Sequence, residues 1–248
     1  MNRAAHRVQL AHAYVLHQRP FRDTSLIVEL FAREHGRMTV FARAARGPRS
    51  RFAVLQPFRA LLLSWSGRGE APQLTAAENV DAWLAQLPPG QLLNAFYLNE
   101  LLLTLTTRHD PHPELYDYYA HTLSQLRADA PAEPALRQFE TRLLDLIGYG
   151  LNLATEADTG RPVRAEAHYY FRPGVHGVVL AGHAAEGAIS GHVLLGLIAA
   201  APPSGEAELR QARTLLRAAI NHCLEGRELR TRIVARSLVG FPRKERIA

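Results

Sequence analysis

The sequence predicts an α+β protein, a small closed β-barrel followed by a helical body, and three observations carry that expectation. Short runs of β-formers separated by glycine turns fill residues 8–78. From residue 81 the apolar period becomes helical. The charge divides at the same place: residues 1–70 carry 12 Arg or Lys against 4 Asp or Glu, whereas residues 71–150 carry 4 against 10.

Residues 8–17 alternate, with Val8, Leu10, Tyr14 and Leu16 on one face, the period of a half-buried strand. Residues 25–31 (SLIVELF) form a second run and residues 38–44 a third. Between them Glu34-His35-Gly36 supplies hairpin chemistry, with Gly36 free to take a positive φ. Residues 58–65 (FRALLLSW) read as a fourth strand closed by Gly67-Arg68-Gly69, and residues 72–78 as a short fifth. Five short strands in one module suit a closed small barrel.

Residues 91–107 are apolar on nearly every side, which predicts a buried central helix. Asp110-Pro111-His112-Pro113 breaks the chain and caps a second helix whose face is Leu115, Tyr119, Leu123 and Leu126. A Pro/Ala linker, ADAPAEPA, precedes a third helix with the stripe Leu136, Phe139, Leu143 and Ile147, stopped by Gly148 and Gly150. Residues 152–188 are rich in Gly, Ala and His, with a short strand pair at 169–171 and 178–180. Residues 193–200 form a short helix, and residues 206–224 an amphipathic one that turns Leu209, Ala212, Leu216 and Cys223 inward and Arg210, Arg213 and Arg217 outward. From residue 226 the chain reads as a basic, mobile tail. The expected domains are a nucleic-acid-binding barrel at 1–80, a helical domain in two parts at 81–151 and 189–248, and an insertion at 152–188.

With 248 residues and 47% apolar content the chain can bury a sizeable core, and its formal charge of +6 favours a polyanionic partner. Nearly all the positive charge is arginine. The single lysine, Lys244, leaves the body of the chain without a Walker A, Schiff-base or kinase-type lysine. One cysteine, Cys223, cannot form an internal disulfide, so a reducing cytoplasm is expected. Residues 1–21 lack the apolar core of a signal peptide, and the longest clean apolar run, 193–201, is too short to span a bilayer. The expectation is a cytoplasmic chain with no membrane partner.

The stretch FARAARGPRSRF holds Arg43, Arg46, Arg49 and Arg51, two or three residues apart, in a loop that also contains Gly47 and Pro48. Charges so spaced in a loop must face water or a polyanion. Arginine forks onto phosphates, while Phe41 or Phe52 offers a stacking face to a base. Arg37 and Arg68, at neighbouring turns, extend the DNA-binding set. The 12 histidines are scattered and lack metal spacing, so no metal is expected. Ser64 and Ser66 form no nucleophile elbow, and His109, Asp110 and His112 read as a helix cap. Glu100, in an otherwise apolar helix, is costly unless it bonds a neighbouring helix end or an arginine. No catalytic residue is expected.

Four motifs in order, AYVLHQRPFRDTSLIVELFAREHGRMTVFARAARGPRS, LQPF, YLNELLLTLTTRHDPHPELYDYY and LRQFETRLLDLIGYGLNL, resemble the RecO family of recombination mediators and DNA repair proteins, over most of the chain. The resemblance implies an N-terminal OB-fold, an all-helical domain and a small insertion. In many relatives that insertion is a four-cysteine zinc module. Here it contains no cysteine, so no zinc and no cofactor are expected. Ala44-Ala45 also departs from the family, which often has a glycine there. The implied activity is non-catalytic: binding single- and double-stranded DNA, annealing strands, and loading the recombinase onto DNA covered by single-stranded DNA-binding protein. The implied partners are that protein's C-terminal tail, with Arg137 of LRQFE at a basic position used near it, and RecR. The implied location is the bacterial cytoplasm, in association with the nucleoid. Two alternatives remain at this point, a metal-dependent DNA-modifying enzyme and an RNA-binding OB-fold protein.

Overall fold

In the computed structural model, which describes residues 7–47, 50–80, 86–128, 130–175, 177–181, 185–199, 201 and 205–239, five strands precede the helices. They are β1 (Arg7–Phe21), β2 (Ser25–Ala32), β3 (Gly36–Ala42), β4 (Leu61–Ser66) and β5 (Gln73–Asn79). They close into a barrel in the order β1-β2-β3-β5-β4, the arrangement of an OB-fold, as expected. Closure between β3 and β5 is thin, a single parallel pair of Phe41 with Gln73.

The first strand is longer than its alternation predicts because two bulges reset it, one between Val8 and Ala11 against β4 and one between Val15 and His17 against β2. Each bulge inserts a residue and turns later side chains to the other face. The expected face is therefore split: Val8 packs against the barrel core, whereas Tyr14 and Leu16 are buried outside it. Ala13 and Val15 point into the core with Val28, Leu30, Val40, Leu61, Leu63 and Leu74. Leu10 sits at the bulge with φ 51° and is 53% exposed.

The helices follow as α1 (Leu92–Leu105), α2 (Pro113–Arg127) and α3 (Ala132–Leu146). Next come β6 (His168–Phe171), β7 (Val178–Ala181) and β8 (Ile189–Ser190), a three-stranded sheet in the order β7-β6-β8. The chain continues through α4 (Gly191–Ile198), α5 (Glu206–Cys223) and α6 (Arg230–Val239). No described helix is long and apolar enough to cross a membrane.

Three helices differ from their sequence reading. In α1, Ala95, Leu98, Leu101 and Leu102 are fully buried, but Leu92 and Phe96 are exposed, so the helix is not enclosed all round. Helix α3 starts inside the expected linker; Pro134 sits in its first turn, where the missing N–H has no intrahelical partner to lose. Helix α6 occupies part of the expected mobile tail, and residues 240–248, with Lys244, lie outside the described residues. Its start is fixed from a distance. The Glu100 carboxylate accepts from the Arg230 N–H at 2.7 Å, the Thr231 N–H at 2.9 Å and the Thr231 hydroxyl at 2.6 Å. An acceptor charge at a helix N-terminus meets both the orphan donors and the dipole.

By contacts the chain divides into two compact units, one running to Pro88 and resuming at Leu101–Ala130, the other made of Pro89–Glu100 and the chain from Pro131 onward. In the first unit the outer face of β1 and β2 packs on α2 through Tyr14, Phe31, Tyr116 and Tyr119, with Tyr14–Tyr119 centroids 4.9 Å apart. Arg33 donates two bonds to the Asp117 carboxylate at 2.8 and 3.0 Å. In the second unit α3 packs against α5 and α4, and Leu136, Phe139, Leu143, Leu216 and Ile220 are buried.

The β2–β3 turn needs its glycine twice over. Gly36 has φ 67°, and a Cβ there would collide with the Asp110 carbonyl oxygen. Gly36→Ala is expected to lower unfolding free energy by about 2 kcal/mol or more, since the left-handed backbone alone costs ~1–2 kcal/mol. A urea midpoint equal to that of the parent chain would refute this.

Candidate nucleic-acid interface

The basic loop leaves β3 and returns to the barrel. Ala42, Ala45, Phe52 and Leu55 all belong to the barrel core, so both ends of the loop are anchored in it. Between the anchors Arg43, Arg46 and Arg51 are exposed. The backbone is shaped locally: Ala44 takes φ 52°, the Ser50 N–H donates to the Gly47 carbonyl at 2.9 Å, and the Phe52 N–H donates to the Ser50 hydroxyl at 3.1 Å. A left-handed Ala44 accounts for a position that suits glycine. Arg49 and Pro48 lie outside the described residues.

The loop lies on the β1–β2 turn. The Arg46 N–H donates to the Thr24 carbonyl at 3.0 Å, and its guanidinium to the carbonyls of Arg22 and Asp23 at 3.2 and 3.3 Å. Arg22, exposed and 5.4 Å over the Phe21 ring, thereby joins the same surface. Sequence spacing missed it, because it is separated from the run by two strands; the hairpin was the signal that could have brought it in. Phe52 is 2% exposed and Phe41 packs edge-on against Phe21 at 5.4 Å. Phe52 is thus no stacking face for a base. Its ring is used from within, with the Arg51 guanidinium 4.8 Å from its centroid.

Arg37 departs from the other arginines. Its side chain is 14% exposed, its Nε and Nη2 donate to the Thr106 carbonyl at 3.2 and 2.7 Å, and Nη1 lies 3.7 Å from Glu29. Burial, and then the nearby Arg108 charge, lower its pKa. Its role is to join the barrel to the loop after α1. Arg68 is exposed on the β4–β5 turn, between Gly67 and Gly69, both at positive φ. It stands at the rim of a cavity of about 390 Å³.

Arg137 lies in the second unit on the floor of a separate cleft of about 220 Å³, with Arg213, Arg217, Arg232 and Arg236 around it. Its side chain is 7% exposed and donates to Glu140 at 2.8 Å, a carboxylate that also accepts from the Tyr97 hydroxyl at 2.6 Å. Burial pushes Glu140 above the usual carboxylate range, and Arg137 opposes that rise. Glu133 pairs with Arg213 at 2.6 Å and Glu228 with Arg236. Arg232 lies over the Tyr97 ring at 5.8 Å. Arg217 is exposed and has no ion-pair partner among the described residues. Arg137 is therefore a buried, paired charge, and the accessible positive charge of the cleft belongs to α5 and α6. Cys223 has its thiol pushed up to about 11 by burial, so it is not a thiolate at neutral pH.

Comparison with known proteins places both units in one family. A family model described as "Recombination protein O N terminal" matches residues 8–83, and one described as "Recombination protein O C terminal" matches residues 90–233. A protein of Methylococcus capsulatus named DNA repair protein RecO is 46% identical over 232 residues, covering 93% of this chain and 94% of its own. Proteins of the same name from Alkalilimnicola ehrlichii and Azoarcus sp. strain BH72 are 44% and 42% identical, covering 96% and 94% of this chain and 94% and 97% of their own.

Removing one partner of a buried ion pair strands the other. Arg137→Ala is expected to cost about 3–5 kcal/mol of stability, whereas Arg217→Ala should stay within about 0.5 kcal/mol. Because the Glu140 pKa is raised, its protonated form is the one folding favours, and that contribution fades as pH rises through the folded pKa. The Arg137→Ala deficit should therefore be larger at alkaline than at acidic pH. Urea unfolding at the two pH values checks both statements, and a pH-independent deficit would contradict the second.

Proposed function

The chain belongs to the recombination protein O family, and on that premise we propose that it is a DNA repair and recombination mediator without catalytic activity. It binds single- and double-stranded DNA, anneals complementary strands, and helps load the recombinase onto DNA covered by single-stranded DNA-binding protein. The observation that carries the DNA reading is the trio Arg43, Arg46 and Arg51, exposed on a loop whose two ends lie in the barrel core. Arg68 and, by sequence, Arg49 extend it; Arg37 is left out because its guanidinium is committed to Thr106.

These arginines hold phosphates, and phosphate contacts carry no base information, so the grip tolerates any sequence. Neutralising the repulsion between two strands leaves base pairing free to drive annealing. No bond is made or broken by the protein in that process.

The helical part meets partners. The C-terminal tail of single-stranded DNA-binding protein, acidic and ending in a carboxylate, docks at the arginine-lined cleft, with Arg217, Arg232 and Arg236 at its mouth and Arg137 holding the floor through Glu140. RecR is the second partner, and the place of work is the bacterial cytoplasm at the nucleoid.

Each phosphate neutralised on a single strand contributes about 0.7 to the log–log salt slope. Replacing Arg43, Arg46 and Arg51 with alanine should flatten that slope by about 2, and an unchanged slope would sink the assignment. Turnover of labelled DNA with magnesium or manganese would replace the reading with an enzyme. Arg217→Glu should weaken the tail peptide while sparing bare DNA, because it reverses an exposed charge without stranding Glu140; parent-like affinity by titration calorimetry would remove the cleft from the proposal.

A further inference from the structure

The cavity beside Arg68 lies apart from the arginine loop. It opens along β3 on the side where that strand meets β5 only at Phe41, between the β2–β3 and β4–β5 turns. His109 closes another side, held by its N–H to the Arg37 carbonyl at 2.9 Å. Trp65, 3% exposed, forms the floor, with the His35 ring edge-on to it at 5.1 Å and Met38 alongside. The acid at the rim, Glu34, shares the Arg33 guanidinium with Asp117.

We propose that this cavity receives one unpaired nucleotide of the bound single strand, with the base against the half-buried His35 ring and the adjoining phosphate at Arg68. The proposal deepens the DNA-binding reading above and rests on it. Three observations favour this occupant. The half-buried His35 ring, held edge-on to Trp65 behind it, gives π contact to any base without selecting one. An arginine at the mouth is matched to a phosphate oxygen pair. The volume of about 390 Å³ is at the small end of the ~300–1,000 Å³ of small-molecule sites, the scale of one nucleotide rather than a duplex end. A base inside the cavity is unstacked and unpaired, so the site binds single strand and releases it as a complementary strand closes.

The test compares an oligothymidine with an abasic strand of equal length and charge, both binding the full chain and read by anisotropy. The parent chain should prefer the base-bearing strand by about tenfold, the scale of one base–aromatic contact. His35→Ala should bring that ratio close to one while leaving the salt slope unchanged, and His35→Phe should restore the preference. Equal affinity of the parent chain for the two strands, or a ratio that His35→Ala leaves intact in a folded variant, would overturn the cavity assignment. Failure of the parent chain to bind either strand would instead overturn the DNA-binding reading.

Discussion

Gly36 presses its backbone onto the Asp110 carbonyl, and the adjacent Arg37 closes its guanidinium on the Thr106 carbonyl; the first unit depends on that joint. The chain from Thr106 to Pro113 is drawn along the free edge of β3, where Arg37 and Arg108 form an isolated parallel bridge. Glu29 serves both arginines, accepting from Arg108 at 2.7 Å and ion-pairing with Arg37 at 3.7 Å, and takes a second hydrogen bond from the Thr39 hydroxyl at 2.7 Å. A shared carboxylate lets two like charges stand side by side in a half-buried place. From there α2 is aimed so that Tyr116 and Tyr119 meet Tyr14 and Phe31.

Arginine in this protein does two different jobs that spacing alone does not separate. Arg37 was expected to extend the basic run and Arg137 to stand beside a partner's tail, yet each is turned inward and bonded to a carbonyl or carboxylate. Arg43, Arg51 and Arg217 remain outward. The difference is set by what the fold brings opposite each side chain: Thr106 lies 69 residues from Arg37, a distance no local pattern crosses.

Where local chemistry dominates, the elements were legible. The SLIVELF run is β2, the Glu34-His35-Gly36 turn has its positive φ at Gly36, and the third helix carries its buried stripe at Leu136, Phe139 and Leu143. Glu100, singled out as costly unless it met a helix end, meets the start of α6. That helix itself was not legible, because its cap comes from residue 100 and its Ile233, Val234 and Leu238 are exposed, leaving no buried stripe to read. The face of β1 was misjudged for a related reason: bulges break the two-residue period, and only the partner strands β2 and β4 reveal where they fall. In the candidate interface, the run from Arg43 to Arg51 could be picked out by density of charge, whereas Arg22 becomes its neighbour only through the β1–β2 hairpin.

Phe52 has a consequence for binding that reaches beyond packing. Its ring and the Ala45 methyl fix the arginine loop at both ends as the barrel folds, and the Ser50 and Gly47 bonds shape the span between them. Much of the conformational entropy that a free basic segment would lose on gripping a polyanion is therefore lost during folding instead. The backbone that carries the exposed Arg43, Arg46 and Arg51 is thus set by the fold before any partner arrives.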